Sequence, residues 1–135
     1  MAAAMRDLLT RHRRVAMVGA SPRPHRPSNG VMRSLLAAGY DVTPVNPRHD
    51  EVLGVPCVPD LAAAAAAGPL EIVDIFRRSE HVPAIVDDAI ALGARVVWMQ
   101  LGVHHPEAAD RARAAGLEVV EDRCIAVEVA RLAAA

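Results

Sequence analysis

Five arginines gather in three short clusters of a chain whose net charge is only −1: Arg23 and Arg26, Arg48, and Arg77 with Arg78. A guanidinium pairs with phosphate through parallel, charge-assisted hydrogen bonds, so arginines brought to one edge suit a ligand with several phosphates. Each cluster stands just past a short apolar run. The first follows Gly19-Ala20-Ser21, three small residues that let a ligand approach the backbone. The second closes Asn46-Pro47-Arg48, and the third follows Phe76. A fourth run ends in Met99-Gln100-Leu101. Phe76, Pro47 and Met99 offer apolar walls for a base or an aliphatic arm. Arg77 and Arg78 also fit plain solvated surface.

These clusters acquire a common edge once the elements are read. Residues 15–18 form a buried-strand run ended by Gly19, and Ser28 is expected to cap the helix that follows. Residues 41–45 read as the second strand. Pro44 has no N–H, so one side of that strand must be unpaired there. Residues 53–58, broken by Gly54 and Pro56, read as a short third strand at an edge. Asp60 is expected to cap an alanine-rich helix over 61–67, and Ser79 a helix running to Leu92. Strands are expected at 71–76, 96–100 and 118–120, with further helices at 2–12, from Pro106 to Gly116, and from Cys124 to Leu132. Strand and helix alternate with short connections. This predicts a single α/β domain over 1–135: a doubly wound, mostly parallel five-stranded sheet with helices on both faces. In such sheets ligands lie at the carboxyl ends of the strands, where the arginines fall.

The composition narrows the classes. A chain of 135 residues buries roughly two-thirds of its unfolded surface, so neither metal nor disulfide is needed for a core. No tail is strongly basic and aromatics are scarce, which argues against nucleic acid. No apolar run has the length of a membrane span, and no signal-peptide core is apparent. Cys57 and Cys124 form no C-x-x-C and read as reduced thiols of a cytoplasmic protein. Cys124 opens the last helix, where a thiolate is favoured, although a small buried residue would serve there as well. His104 and His105 read as turn and helix-start residues beside Pro106. No metal site is expected, and no nucleophile–base set, hence no catalytic residue, is readable.

The turn after the first strand carries only the first glycine of the dinucleotide fingerprint G-x-G-x-x-G, and a plain strand–helix turn would account for that glycine alone. At the end of the second strand an NAD site carries a carboxylate for the ribose hydroxyls. This chain has Asn46 and Arg48 there. A carboxylate repels a ribose phosphate and an arginine attracts one, so a phosphorylated ribose is favoured over NAD. Ordinary turn residues are the other reading.

Val18-Gly19-Ala20-Ser21, Pro44-Val45-Asn46-Pro47, Val96-Val97-Trp98-Met99-Gln100 and Asp122-Arg123-Cys124 together resemble the small CoA-binding proteins. Their fold is like the CoA-binding domain of the succinyl-CoA synthetase alpha subunit. The resemblance covers nearly the whole chain. It implies a Rossmann-like domain holding coenzyme A or acyl-CoA at the strand ends, without catalysis of its own. Gly19, Ala20, Ser21 and Arg26 would meet the pyrophosphate, Asn46, Pro47 and Arg48 the adenosine 3′-phosphate end, and Phe76, Arg77, Met99, Gln100 and Leu101 the remainder. The synthetase's phosphorylated histidine lies in a second domain that this sequence does not contain. An NADP-dependent oxidoreductase, or a ligase component needing a partner chain, are the competing readings. A protein partner or a homo-oligomer is compatible with each.

Overall fold

The computed structural model describes residues 2–134. Five parallel strands make the main sheet: β1 (Arg14–Val18), β2 (Asp41–Val45), β5 (Ile72–Ile75), β6 (Val96–Met99) and β7 (Glu118–Val120). Their spatial order is β2-β1-β5-β6-β7. The chain winds outward from β1 to β2, then returns to the other side of β1 with β5. That reversal places the switch point between β1 and β5, where the ends of adjacent strands part and open a crevice.

Alternating side chains of the sheet feed two apolar layers, as a parallel sheet covered on both faces requires. Val15, Met17, Ile72, Val96 and Trp98 pack with α1 (Ala2–Arg11), α2 (Pro27–Ala37) and α6 (Ile125–Ala134). Ala16, Val18, Val73, Ile75, Val97 and Met99 pack with α3 (Leu61–Ala66), α4 (Val82–Ala91) and α5 (Pro106–Ala114). The small alanines of α3 and α5 allow those helices close against the sheet.

Three local expectations are corrected. Ser28 does not cap α2: the cap position is Arg26, Pro27 takes the first helical position, and Ser28 is buried in the first turn. Proline is favoured there because its fixed φ suits the helix and its missing N–H is one the helix would leave unbonded. Ser79 does not cap an α-helix. It opens a 3-10 turn, Ser79–His81, ahead of α4, and its hydroxyl accepts from His104 N–H at 3.0 Å. The expected third strand is instead a small hairpin, β3 (Glu51–Val52) with β4 (Val55–Pro56), outside the main sheet. Only Val58 reaches the sheet, bridging Val45. Pro44 occupies the outer side of the edge strand β2, where its carbonyl accepts from Val58 N–H at 3.0 Å and no N–H is required.

Candidate functional site

Gly19 sits at the switch point with φ +90°, a conformation costly for any residue with a Cβ. A Cβ there would stand 2.4 Å from the carbonyl oxygen of Phe76. The glycine is therefore demanded by strand-end packing: Gly19 N–H donates to Val45 O at 3.0 Å, and Phe76 N–H donates to Val18 O at 2.8 Å. This close approach brings the ends of β2, β1 and β5 together as one rim.

Two asparagines fix the loop beyond it. Asn46 Nδ2 donates to Ala20 O at 2.9 Å, and Asn29 Nδ2 donates to Ser21 O at 3.0 Å. Asn46 Oδ1 also accepts from Arg48 N–H at 2.9 Å, an Asx turn that aims the segment after β2. With both ends of its carboxamide used by the protein, Asn46 acts as a brace that positions Arg48.

Two adjoining cavities open along this rim. One, of about 540 Å³, is bordered by Gly19, Ser21, Arg23, Arg26, Ser28, Asn46, Arg48, Phe76, Arg77, Gln100, Leu101 and Val103. The other, of about 690 Å³, shares Gly19, Arg26, Asn46, Arg48, Phe76 and Arg77, and extends past Pro47 toward Leu61, Arg78, Ile85 and Asp88. The structure thus brings ten of the twelve expected site residues to one crevice. Ala20 and Met99 do not border the cavities: both side chains are fully buried, one in each core layer, because strand alternation and the turn after β1 point them inward, which leaves only the Ala20 backbone open to the role expected of it. Sequence reading gave Arg23 a phosphate-facing role without placing it in the site, and it missed Val103 and Ser28 as wall residues. Arg23 was recoverable from its spacing; the other two depend on how loops fold back.

The first cavity has no carboxylate in its wall, whereas Asp60 and Asp88 border the second. All fifteen basic side chains of the chain are arginine. Elsewhere several are partnered, Arg11 with Asp7 and Glu118, Arg111 with Asp87, Arg131 with Glu128, whereas among the described residues Arg6 and Arg95 stand alone and Arg33 bonds only to Asn29. Among the described residues Arg23, Arg26, Arg48 and Arg77 have no carboxylate partner and no side-chain hydrogen bond. A separate groove of about 500 Å³ between α1, β7 and α6 also carries Arg123 and Arg131, but Glu128 engages both, at 3.6 and 2.7 Å. The opening turn of α2 adds to the positive character. Arg26 supplies no side-chain cap, whereas Asp60 caps α3 and His105 Nδ1 caps α5. Free N–H groups and the dipole of α2 therefore face the crevice where Pro27 and Ser28 border it.

The remaining candidates stand apart. Cys124 precedes α6 but borders neither cavity. Cys57 lies behind Asn46, its thiol 3.5 Å from the Asn46 carbonyl, and burial pushes its pKa up. His104 Nδ1 lies 2.7 Å from a Glu121 carboxylate oxygen. No cluster of three potential metal ligands occurs among the described residues, and none of the described helices is long and apolar enough to cross a membrane. Asp74 escaped sequence reading altogether. It follows Ile72 on the same face of central strand β5, is 0 % exposed, and neither carboxylate oxygen has a partner, so burial raises its pKa well above the ordinary range.

A doubly wound sheet with a rim of unpaired arginines at its switch point defines a Rossmann-like domain with a basic crevice at its strand ends. More narrowly, the chain belongs to the CoA binding domain family, whose model matches residues 13–130. The uncharacterized protein YneT of Bacillus subtilis is 40% identical over 125 residues, which cover 93% of this chain and 91% of that one. A hypothetical protein from Pyrococcus horikoshii OT3 of known structure is 42% identical with a TM-score of 0.93, covering 98% of this chain and 92% of that one. An ADP-forming acetate–CoA ligase of Archaeoglobus fulgidus is 32% identical over 74 residues, 55% of this chain but only 10% of the ligase.

Proposed function

We propose that the protein binds coenzyme A, or an acyl-CoA, along this rim and holds it without transforming it. The observation that carries the reading is the polarity of the crevice. Unpaired arginines flank its β1 and β2 end, while Gln100, Leu101 and Val103 at the β6 end are uncharged. The sheet order puts three strand spacings, roughly 14 Å, between β2 and β6. Coenzyme A has the same polarity: a phosphorylated ribose and a pyrophosphate at one end, and a neutral, amide-bearing arm at the other. In this reading Arg48 meets the 3′-phosphate, and Arg26 with the α2 N-terminus meets the pyrophosphate. The Ser21 hydroxyl accepts from Arg23 N–H at 3.2 Å, and among the described residues no histidine bonds to it.

Calorimetric titration with coenzyme A and dephospho-CoA tests this. Coenzyme A should bind, and the dephosphorylated form should bind markedly more weakly. Absence of binding by either would overturn the reading. The similarity to a short segment of a ligase favours one second reading, in which the chain is the CoA-holding part of an enzyme completed by a partner chain.

A further inference from the structure

Gln100 is only 4 % exposed, yet it stands in the wall of the first cavity. One end of its carboxamide is fixed: Oε1 accepts from Ile125 N–H at 3.1 Å, at the start of α6. A backbone amide can only donate, so this contact settles which terminal atom is oxygen and puts the nitrogen on the other side. The main chain of Gln100 is occupied as well, with N–H donating to Ile75 O and C=O accepting from Val103 N–H. Among the described residues Nε2 has no acceptor. Nor is it one of the side-chain atoms sealed from solvent without a partner, such as those of Asp74. The amide nitrogen therefore keeps contact with the open space of the cavity. A primary amide held at one end, with its donors open to the cavity, is pre-positioned to bond an acceptor that enters it.

The chemistry of that acceptor follows from the surroundings. Leu101 and Val103 beside Gln100 are apolar, and the free arginines lie toward β1 and β2. A phosphate would be drawn to those arginines; a neutral carbonyl oxygen suits a neutral donor in an apolar wall. We propose that Gln100 Nε2 donates to a carbonyl oxygen on the uncharged arm of the bound ligand, an amide or thioester carbonyl, and so selects ligands that carry one there. This rests on the reading of the crevice as a coenzyme A site and names the residue that recognises the arm.

Gln100 is the only glutamine in the chain, so ¹⁵N-glutamine labelling gives a single side-chain NH₂ pair. Titration with coenzyme A should shift that pair. Adenosine 3′,5′-bisphosphate has the phosphorylated ribose but no arm carbonyl, and should leave it in place. The variant Gln100→Glu keeps an acceptor for Ile125 N–H and removes the donor. Its affinity for coenzyme A should fall roughly tenfold further than its affinity for the bisphosphate, whose change measures the added charge alone. An NH₂ pair unmoved by coenzyme A that demonstrably binds, or equal losses for the two ligands, would overturn the assignment. Wild-type protein that bound neither ligand would refute the coenzyme A reading itself, and the unmodified titration reports that separately.

Discussion

In the proposed coenzyme A reading, ligand discrimination turns on Arg48. It has no carboxylate partner to release, so a phosphate would gain its full charge-assisted contact. Arg48→Ala should cost coenzyme A binding about 1.5–3 kcal/mol while leaving dephospho-CoA nearly unchanged, as read by calorimetry. Equal losses would show that Arg48 touches no 3′-phosphate. Gly19 demands a different reading. Gly19→Val should disturb the strand ends themselves, because the added Cβ meets the Phe76 carbonyl at a backbone conformation with φ +90°. Urea unfolding should show a loss of at least about 1–3 kcal/mol with no ligand present. Asp74 sets a pH dependence. Its folded-state pKa is raised, so its stability contribution is whole below the ordinary carboxyl pKa and is lost as pH rises toward the folded value. Asp74→Asn should therefore be the more stable protein at neutral pH. The difference should shrink toward pH 4 by at most about 1.4 kcal/mol per unit, measurable by denaturation at a series of pH values. A gap independent of pH would mean that Asp74 is paired in solution.

At the scale of elements, the helix starts divide by task. His105 Nδ1 accepts from Ala108 N–H at 3.1 Å, which closes the first turn of α5, and His105 borders neither cavity. His105→Ala should lower stability by about 1 kcal/mol and leave coenzyme A affinity intact, since caps of this kind act on the helix alone. The opening of α2 lacks such a cap and faces the crevice. That contrast was only half legible in the sequence. The apolar runs, the alternation with helices and the exits of β1, β2, β5 and β6 were readable because hydrophobic period and breakers are local. The cap at α2 was misassigned because serine is a strong capping type, while Pro27 one position earlier fixed the start of the helix. The hairpin of β3 and β4 was read as part of the sheet because two-residue strands leave no period to follow. Met99 is expected as an apolar wall but points into the core, because the sequence shows the exit of a strand and not which way its last side chain points. Asp74 left no signal, since an acidic residue within a short strand resembles an edge position until the sheet order makes that strand central.

The whole molecule separates its charges. Many arginines outside the crevice are paired, Arg6 and Arg95 excepted, and four unpaired ones collect around a single crevice whose other end is neutral. A ligand that matches both ends should bind with a marked salt dependence, because exposed guanidinium–phosphate contacts are screened. The same polarity distinguishes coenzyme A from NADP, which also carries a phosphorylated ribose but a second nucleotide in place of the long aliphatic arm. Side-by-side calorimetry of the full chain with coenzyme A and NADP at one ionic strength therefore bears most directly on the account: it predicts that coenzyme A binds the more tightly, and NADP binding as tightly or more tightly would contradict it.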